Sequence, residues 1–206
     1  VKDLPEMFRM AVASGRGIGK SALVSWIILW MLSTRLGSTV IVTANTEQQL
    51  RSRTWAELGK WLTLSINSHW WSKTATTIKP APWFDEALER DLKIDTGYYY
   101  AQAQLWSEAS GIPSPIYSVS EGFFSEPTPN RFWFTFSNPR RNQGPFYDSF
   151  HSAKSFWKNE QIDSRTVEGT DKELFSKMIE QYGEDSTVAR VEVMGLFPSA
   201  DDDTVI

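Results

Sequence analysis

A chain of 206 residues, 41% apolar and 22% charged, is long enough to bury a full core and is expected to form one domain with a small appendage. The formal net charge of −4 excludes a surface that is basic throughout, so any contact with nucleic acid must come from a local patch. With no cysteine and only 2 histidines, neither a disulfide framework nor a thiolate or histidine-built zinc site is expected, and a cytoplasmic protein fits.

The chain enters its first strand almost at once, so whatever normally precedes such a strand is expected to be absent, and no basic-then-apolar signal segment opens it. The apolar run Phe8, Met10, Ala11, Val12, Ala13 predicts a buried strand. It stops at a glycine-rich turn, Ser14 to Gly19, after which Lys20 and Ser21 open a strongly apolar segment from Ala22 to Leu32. That segment predicts a buried helix running to Arg35 with Gly37 as its stop, covered on most sides, with Trp26 and Trp30 in the core. It is too short to span a membrane, and Ser25 interrupts it. Thr39 to Thr43 is β-branched throughout and predicts a second buried strand. Thr46 and Gln49 form a capping-box pattern for a second helix, with Leu50, Trp55, Leu58, Trp61 and Leu62 on its apolar face. Strand, helix, strand, helix at these lengths predicts an α/β fold with a mainly parallel sheet flanked by helices. Arg51 and Arg53 read as a solvated helix face rather than as a DNA contact.

Gly15, Gly17 and Gly19 thus sit where a strand hands over to a helix, the context of a phosphate-binding loop. Backbone N–H groups that curl round a phosphate require glycines tolerant of positive φ and of close approach. The helix N-terminus adds unsatisfied donors and partial positive charge. The nucleotide-binding set is Ser14, Gly15, Arg16, Gly17, Ile18, Gly19, Lys20, Ser21 and Ala22, with Lys20 reaching the β- and γ-phosphates of ATP and the Ser21 hydroxyl binding Mg²⁺. Ser14 stands where the pattern G-x-x-x-x-G-K-[ST] has its first glycine, so the motif is a variant. Arg16 is not needed to cradle phosphate. It is either a solvated surface arginine or a cation aimed at the γ-phosphate in its own or a neighbouring subunit.

Ile66 to Trp83 is aromatic and irregular, broken by Pro80 and Pro82, and His69 beside Trp70 and Trp71 reads as packing. Phe84 to Arg90 predicts a short helix, and Leu92 to Tyr100 strand-like pieces. Ser107-Glu108-Ala109-Ser110-Gly111 follows a stretch in which Gln102 and Gln104 alternate against the pattern of a buried central strand. Arg131 to Phe136 predicts a strand that ends in Ser137-Asn138-Pro139, followed by Arg140, Arg141 and Asn142. The polar pair Ser137 and Asn138 at such a tip suits γ-phosphate sensing, while Asn-Pro also makes a plain turn. From Gly144 a helix with Phe146, Tyr147 and Phe150 is predicted, then a strand near Trp157 to Asp163. Thr170 and Glu173 make a capping box for a helix through Tyr182 stopped by Gly183. Val188 to Phe197 predicts one more strand. Asp201 to Asp203 reads as an acidic linker rather than a metal site.

The GRGIGKS loop, TANTEQQLRSRTW, ASGIP, the SNPRRN strand tip, QIDSRTVEGTD and VEVMGLFP together resemble the large terminase subunit of viral DNA-packaging motors, from about Phe8 to Pro198. The resemblance implies a RecA/ASCE-like P-loop NTPase, with residues 1–150 as the ATPase core and 151–206 as a closing lid or linker subdomain. It implies an ATP hydrolase that uses ATP and Mg²⁺, forms a homo-oligomeric ring on a portal, works with a small terminase subunit, and drives double-stranded DNA into a procapsid in the host cytoplasm. No membrane is involved. Ser137 and Asn138 fall on the family's coupling motif. Either Arg140 or Arg141 would serve as a trans arginine finger, an effect worth ~10³–10⁵ where it operates, with a bound phosphate or plain surface charge as equal alternatives. A metal-dependent nuclease domain follows in that family; this chain stops at Ile206, so nuclease activity is not expected of it.

One family motif is altered. Terminases have an apolar strand followed by D-E-A-S, an acid pair that holds Mg²⁺ and orients the attacking water. Here Glu108 falls on the catalytic glutamate and Ser107 replaces the metal-side aspartate. Three explanations stand: a degenerate motif and a poor hydrolase, a metal acid from elsewhere, or a family segment with its Walker B strand missing from this sequence between YYYAQAQLWSE and ASGIPSPIYSVSEGFF. The third fits the resemblance best. Two other function classes remain. One is another P-loop DNA translocase such as a helicase, for which no second RecA-like half follows Gly144. The other is a non-hydrolytic nucleotide-dependent interaction domain, which the altered motif permits.

Overall fold

The apolar run before the glycine turn forms the strand β1 (Met7–Ser14), whose last residues are fully buried. A computed structural model describes the protein at residues 7–91, 101–125, 128 and 130–199. The helix α1 (Lys20–Thr34) follows, and Gly37, at φ 77°, turns the chain out of it. Only Val24, Ser25, Ile28 and Met31 of α1 are buried. Trp26 was expected in the core but is 48% exposed and packs edge-on against Trp61. Trp30 stacks edge-on against Phe132 beneath the Arg35 guanidinium, which lies 4.1 Å from the Trp30 ring centre.

The strand β2 (Thr39–Thr43) is half-buried rather than buried, because it is an end strand of its sheet. Thr46 caps the next helix as expected, its side chain accepting from the Gln49 amide at 3.2 Å. That helix begins as α2 (Glu47–Gln49), widens into a π-helical turn over Leu50–Trp55 and continues as α3 (Ala56–Leu64). Arg51 pairs with Glu47 at 2.7 Å on its exposed face. The aromatic stretch beyond it holds a short antiparallel hairpin of β3 (Trp71–Lys73) and β4 (Ile78–Pro80), then α4 (Pro82–Asp91). His69 is a packing residue there, stacked on Trp83. The strand-like pieces expected over Leu92 to Tyr100 lie outside the described residues.

Gln102 and Gln104 do not prevent a buried strand. β5 (Gln102–Ser107) is formed, and both glutamines are only 2% exposed. Gln104 tolerates this burial because its side-chain oxygen accepts from Trp106 Nε1 at 3.1 Å, two residues along the same strand. β5 ends at Ser107 and leads directly into Glu108. Further on come α5 (Ser114–Gly122), β6 (Arg131–Ser137), α6 (Pro145–Phe150), β7 (Lys158–Ile162) and α7 (Lys172–Tyr182). The cap of α7 is Asp171, which accepts from the Leu174 amide at 3.0 Å, and not the expected Thr170, whose hydroxyl donates to Ser164 O at 2.7 Å. The last predicted strand is not a strand. Val191 and Val193 are buried by a π-helical turn over Ala189–Met194, whose apolar side packs with Phe175 of α7.

Five strands form one sheet in the order β2-β5-β6-β1-β7. β2 runs parallel to β5 with Thr39 opposite Gln102, and β1 runs parallel to β7 with Ser14 opposite Ile162. By contact density the chain divides into two compact units. The first is built on Ser21–Ser107 with Phe124–Phe132, and its core includes Val24, Ile28, Met31, Leu58 and Leu105. The second holds Arg9–Lys20, Glu108–Phe123 and the chain from Trp133 onward, with Val12, Phe136, Phe146, Phe175 and Val193 among its buried residues. All the candidate site residues except Ser21 and Ala22 belong to the second.

Gly195 ends the π-helical turn in a left-handed conformation, φ 66°, and a Cβ there would stand 2.6 Å from Ser14 Cα and 2.7 Å from Ile162 O. Both neighbours are backbone and cannot yield cheaply. Gly195→Ala is therefore expected to destabilise the protein by about 1–3 kcal/mol. Gly122→Ala, at the open end of α5 with nothing within 4 Å, should be neutral or stabilising by up to about 1 kcal/mol. Urea unfolding of the two variants reads the difference.

Candidate nucleotide-binding site

β1 delivers a fully buried Ser14 to the start of the glycine loop. Gly15 is required by close packing, since a Cβ on it would lie 2.3 Å from both Ser164 Oγ and the Val193 carbonyl oxygen. Its amide donates to Ile162 O at 3.2 Å, the Arg16 amide donates to Glu192 O at 2.8 Å, and Ser164 Oγ donates to Arg16 O at 2.7 Å. β7 and the two turns beyond it thus brace one side of the loop. The other side is open. Gly17 and Gly19 hold φ of 72° and 86°, and among the described residues no protein acceptor takes the amides of Gly17, Ile18 or Gly19. The loop then runs into the N-terminus of α1, whose first turn carries no acid. Open amides and a helix N-terminus favour an anion.

Lys20 turns back over this loop. Its ammonium donates to Gly15 O at 2.8 Å, Asn138 Oδ1 at 3.0 Å and Ser14 Oγ at 3.1 Å. The serine that replaces the motif's first glycine therefore supplies a ligand for the lysine. Burial lowers the Lys20 pKa from 10.5 to about 8; the carboxylates of Glu108 and Glu192 oppose the fall, and Arg140 and Arg16 add to it.

Asn138, at the tip of β6, is 4% exposed and faces two ways. Its carbonyl oxygen takes Lys20, and its amide donates to Glu192 Oε2 at 3.2 Å. The same buried carboxylate also accepts from Arg16 Nε in close contact and forms an ion pair with Arg140, whose Nη2 stands 3.1 Å from Oε1. Sequence reasoning missed Glu192. On a strand it would have alternated outward between Val191 and Val193, whereas the π-helical turn puts all three inside. The only signal was an acid within an apolar run.

The remaining expected residues divide. Ser137 serves the backbone: the Ser110 amide donates to its hydroxyl at 3.1 Å, and Ser110 Oγ donates to Asn138 O at 2.9 Å. This clasps the turn after Glu108 to the tip of β6. Glu108 itself adopts φ 59° and ψ 40°, a left-handed conformation unfavourable for any residue with a Cβ. Its carboxylate is near enough to Lys20 to act on that group's ionisation. Arg141 is exposed and takes no part in the Glu192 cluster. Ser21 and Ala22 continue α1, with the Ser21 carbonyl accepting from Ser25 Oγ at 2.8 Å. Among the described residues no helix is long and apolar enough to cross a membrane.

A scan against protein-family models and a search of curated proteins both return no match. Solved structures do match. The large terminase of the thermophilic bacteriophage D6E superposes with a TM-score of 0.61 at 11% identity, covering 92% of this chain and 48% of that one. The large terminase ATPase domain of Thermus phage P74-26 gives a TM-score of 0.56 at 14% identity, covering 92% and 88%. The HK97 bacteriophage large terminase gives 0.53 at 14% identity, covering 95% and 41%. The chain spans about half the length of the D6E protein and most of the isolated P74-26 domain. At these identities the likeness is one of fold: a mixed α/β fold, with a parallel sheet flanked by helices, that matches phage large-terminase ATPase domains.

Proposed function

We propose that this chain is the ATPase domain of a viral genome-packaging motor, coupling ATP hydrolysis to movement of double-stranded DNA into a procapsid. The observation that carries this reading is Lys20, a half-buried cation tethered across an open glycine loop in a fold that matches large-terminase ATPase domains. In this reading Ser14 to Ala22 wrap the phosphates and Lys20 neutralises them. Residues 1–150 are the ATPase core, and 151–206 a closing segment that contributes Glu192. A homo-oligomeric ring on a portal, a small terminase subunit and the host cytoplasm complete the proposal.

The residues fit a nucleotide better than a metal ion of their own. Among the described residues no three His, Cys, Asp or Glu side chains gather. Mg²⁺ would therefore be held mainly by the nucleotide's phosphates, with the Ser21 hydroxyl as its protein donor. When bound it neutralises phosphate charge. Glu108 orients and deprotonates the attacking water. Ser137 fixes Asn138, which senses the terminal phosphate. Arg16 and Arg140 act in their own subunit, and Arg141, exposed beside them, is the arginine that reaches a neighbour. One observation favours a second reading: Ser107 stands on the metal side of Glu108 in place of an acid, which suits nucleotide-dependent binding without hydrolysis.

Lys20→Ala should abolish DNA-stimulated phosphate release; an unchanged rate would remove the phosphate-loop assignment. Glu108→Gln should lower kcat by about 10²–10⁴ while nucleotide still binds. If the wild-type chain binds ATP but never turns it over, even with DNA and assembled rings, the non-hydrolytic reading takes precedence. The Lys20 pKa gives a third test. Without nucleotide it is about 8, and adjacent phosphates raise it, so binding just above that pH should take up protons and weaken as the pH climbs further. Calorimetric titration in buffers of different ionisation enthalpy measures this uptake. Proton release on binding would exclude Lys20 as the phosphate partner.

A further inference from the structure

Beside the glycine loop, the most deeply placed charge belongs neither to the loop nor to a strand tip. It is the Glu192 carboxylate, whose side chain is 8% exposed. Groups from three parts of the chain converge on it: Arg16 Nε from the loop and, at 3.2 Å, Asn138 Nδ2 from the end of β6 donate to it, and Arg140 from the segment beyond pairs with it, Nη2 lying 3.1 Å from Oε1. Through Asn138 the same network reaches Lys20 Nζ at 3.0 Å.

This carboxylate is fixed in place. The Glu192 carbonyl accepts from the Arg16 amide at 2.8 Å, Val191 and Val193 on either side are buried, and Gly195 seats the turn against Ser14. A π-helical turn is a costly local geometry that recurs at functional sites. Glu192 cannot swing away without unpacking that turn. The two arginines are different in character, with side chains 59% and 49% exposed. A guanidinium has several N–H donors in a rigid fork, so one bond to a buried carboxylate leaves the others for a second anion. Arg16, held through Nε, keeps both terminal nitrogens. Nor does Glu192 cancel the local charge, because Lys20, Arg16 and Arg140 all stand against it.

We infer that Glu192 is a positioning residue, a fixed buried carboxylate that aims Arg16, Arg140 and Asn138 at the terminal phosphate of a nucleoside triphosphate. The inference rests on the nucleotide reading of the loop. It gives the site discrimination between tri- and diphosphate, since these three side chains add to the loop amides and Lys20 that hold phosphate generally.

Two measurements separate this claim from the reading beneath it. In heteronuclear NMR spectra of the nucleotide-free chain, Arg16 Nε–H should give a slowly exchanging signal, assigned by its loss in Arg16→Lys. Glu192→Gln should shift or abolish that signal. Exchange as fast as in free arginine, or a signal unmoved by Glu192→Gln, overturns the positioning role, and the wild-type half of the test stands even where Glu192→Gln fails to fold. ADP and a slowly hydrolysed ATP analogue are then titrated into the wild type and Glu192→Gln. The variant should lose about tenfold of its preference for the triphosphate, the scale of one charge-assisted hydrogen bond, with a smaller change for ADP. An equal loss for both ligands, or a preference fully kept, would mean that Glu192 only holds the turn together. A wild-type chain that binds neither ligand refutes the nucleotide reading, and the Arg16 signal still decides whether Glu192 holds the arginine.

Discussion

The site depends on keeping one ammonium group away from water at the end of β1. A half-buried lysine loses part of its hydration and is tolerated only where oxygens replace the lost water. Ser14, Gly15 and Asn138 provide three, and all three are neutral. They satisfy the N–H groups without cancelling the charge, which is why burial still dominates and the pKa stays near 8. A carboxylate in direct contact would have quenched the group. Glu192 is instead kept one hydrogen bond away, behind Asn138. Asn138 thus acts as a spacer that joins the two charged groups without letting them pair.

The sheet makes this arrangement available. Parallel strands bring their carboxyl ends to one edge, where open α/β sheets place their ligands. β1 ends at Ser14 opposite Ile162 of β7, and β6 carries Asn138 just past its own end. The loop between β1 and α1 must then pass very close to β7 and the π-helical turn. Gly15 and Gly195 are the two positions where that approach leaves no room for a side chain. Bracing one side of the loop in this way leaves the opposite amides open.

Much of this was legible in the sequence because it is local. The glycine loop, the Thr46 cap, the stop at Gly183 and the β6 strand follow from neighbouring residues. What failed was set by distant ones. Gln104 argues against burial only until Trp106 is seen to satisfy it, while Gln102 is buried although its side-chain oxygen meets no partner among the described residues. The spacing of Val191 and Val193 imitates a strand, yet packing against Phe175 winds that segment into a helical turn. Trp26 belongs to an apolar helix with more apolar surface than its unit covers. Glu192 meets Arg16 across 176 residues, a separation at which no motif spacing operates.

The altered acid motif divides binding from chemistry. Loop amides, Lys20 and the arginines require nothing from Ser107, so the affinity for phosphate survives its substitution in the proposed mechanism. Glu108 is different. A left-handed backbone costs a residue with a Cβ about 1–2 kcal/mol, and glycine would meet the same turn without that cost. Such strain persists only where the surroundings over-determine it, and here the Ser110 clasp on β6 does so. A turn needed only for chain reversal would have no use for a carboxylate in that position. A carboxylate close enough to act on the ionisation of Lys20 places its charge at the loop, and in the proposed mechanism the burden of holding Mg²⁺ falls on the nucleotide rather than on Ser107.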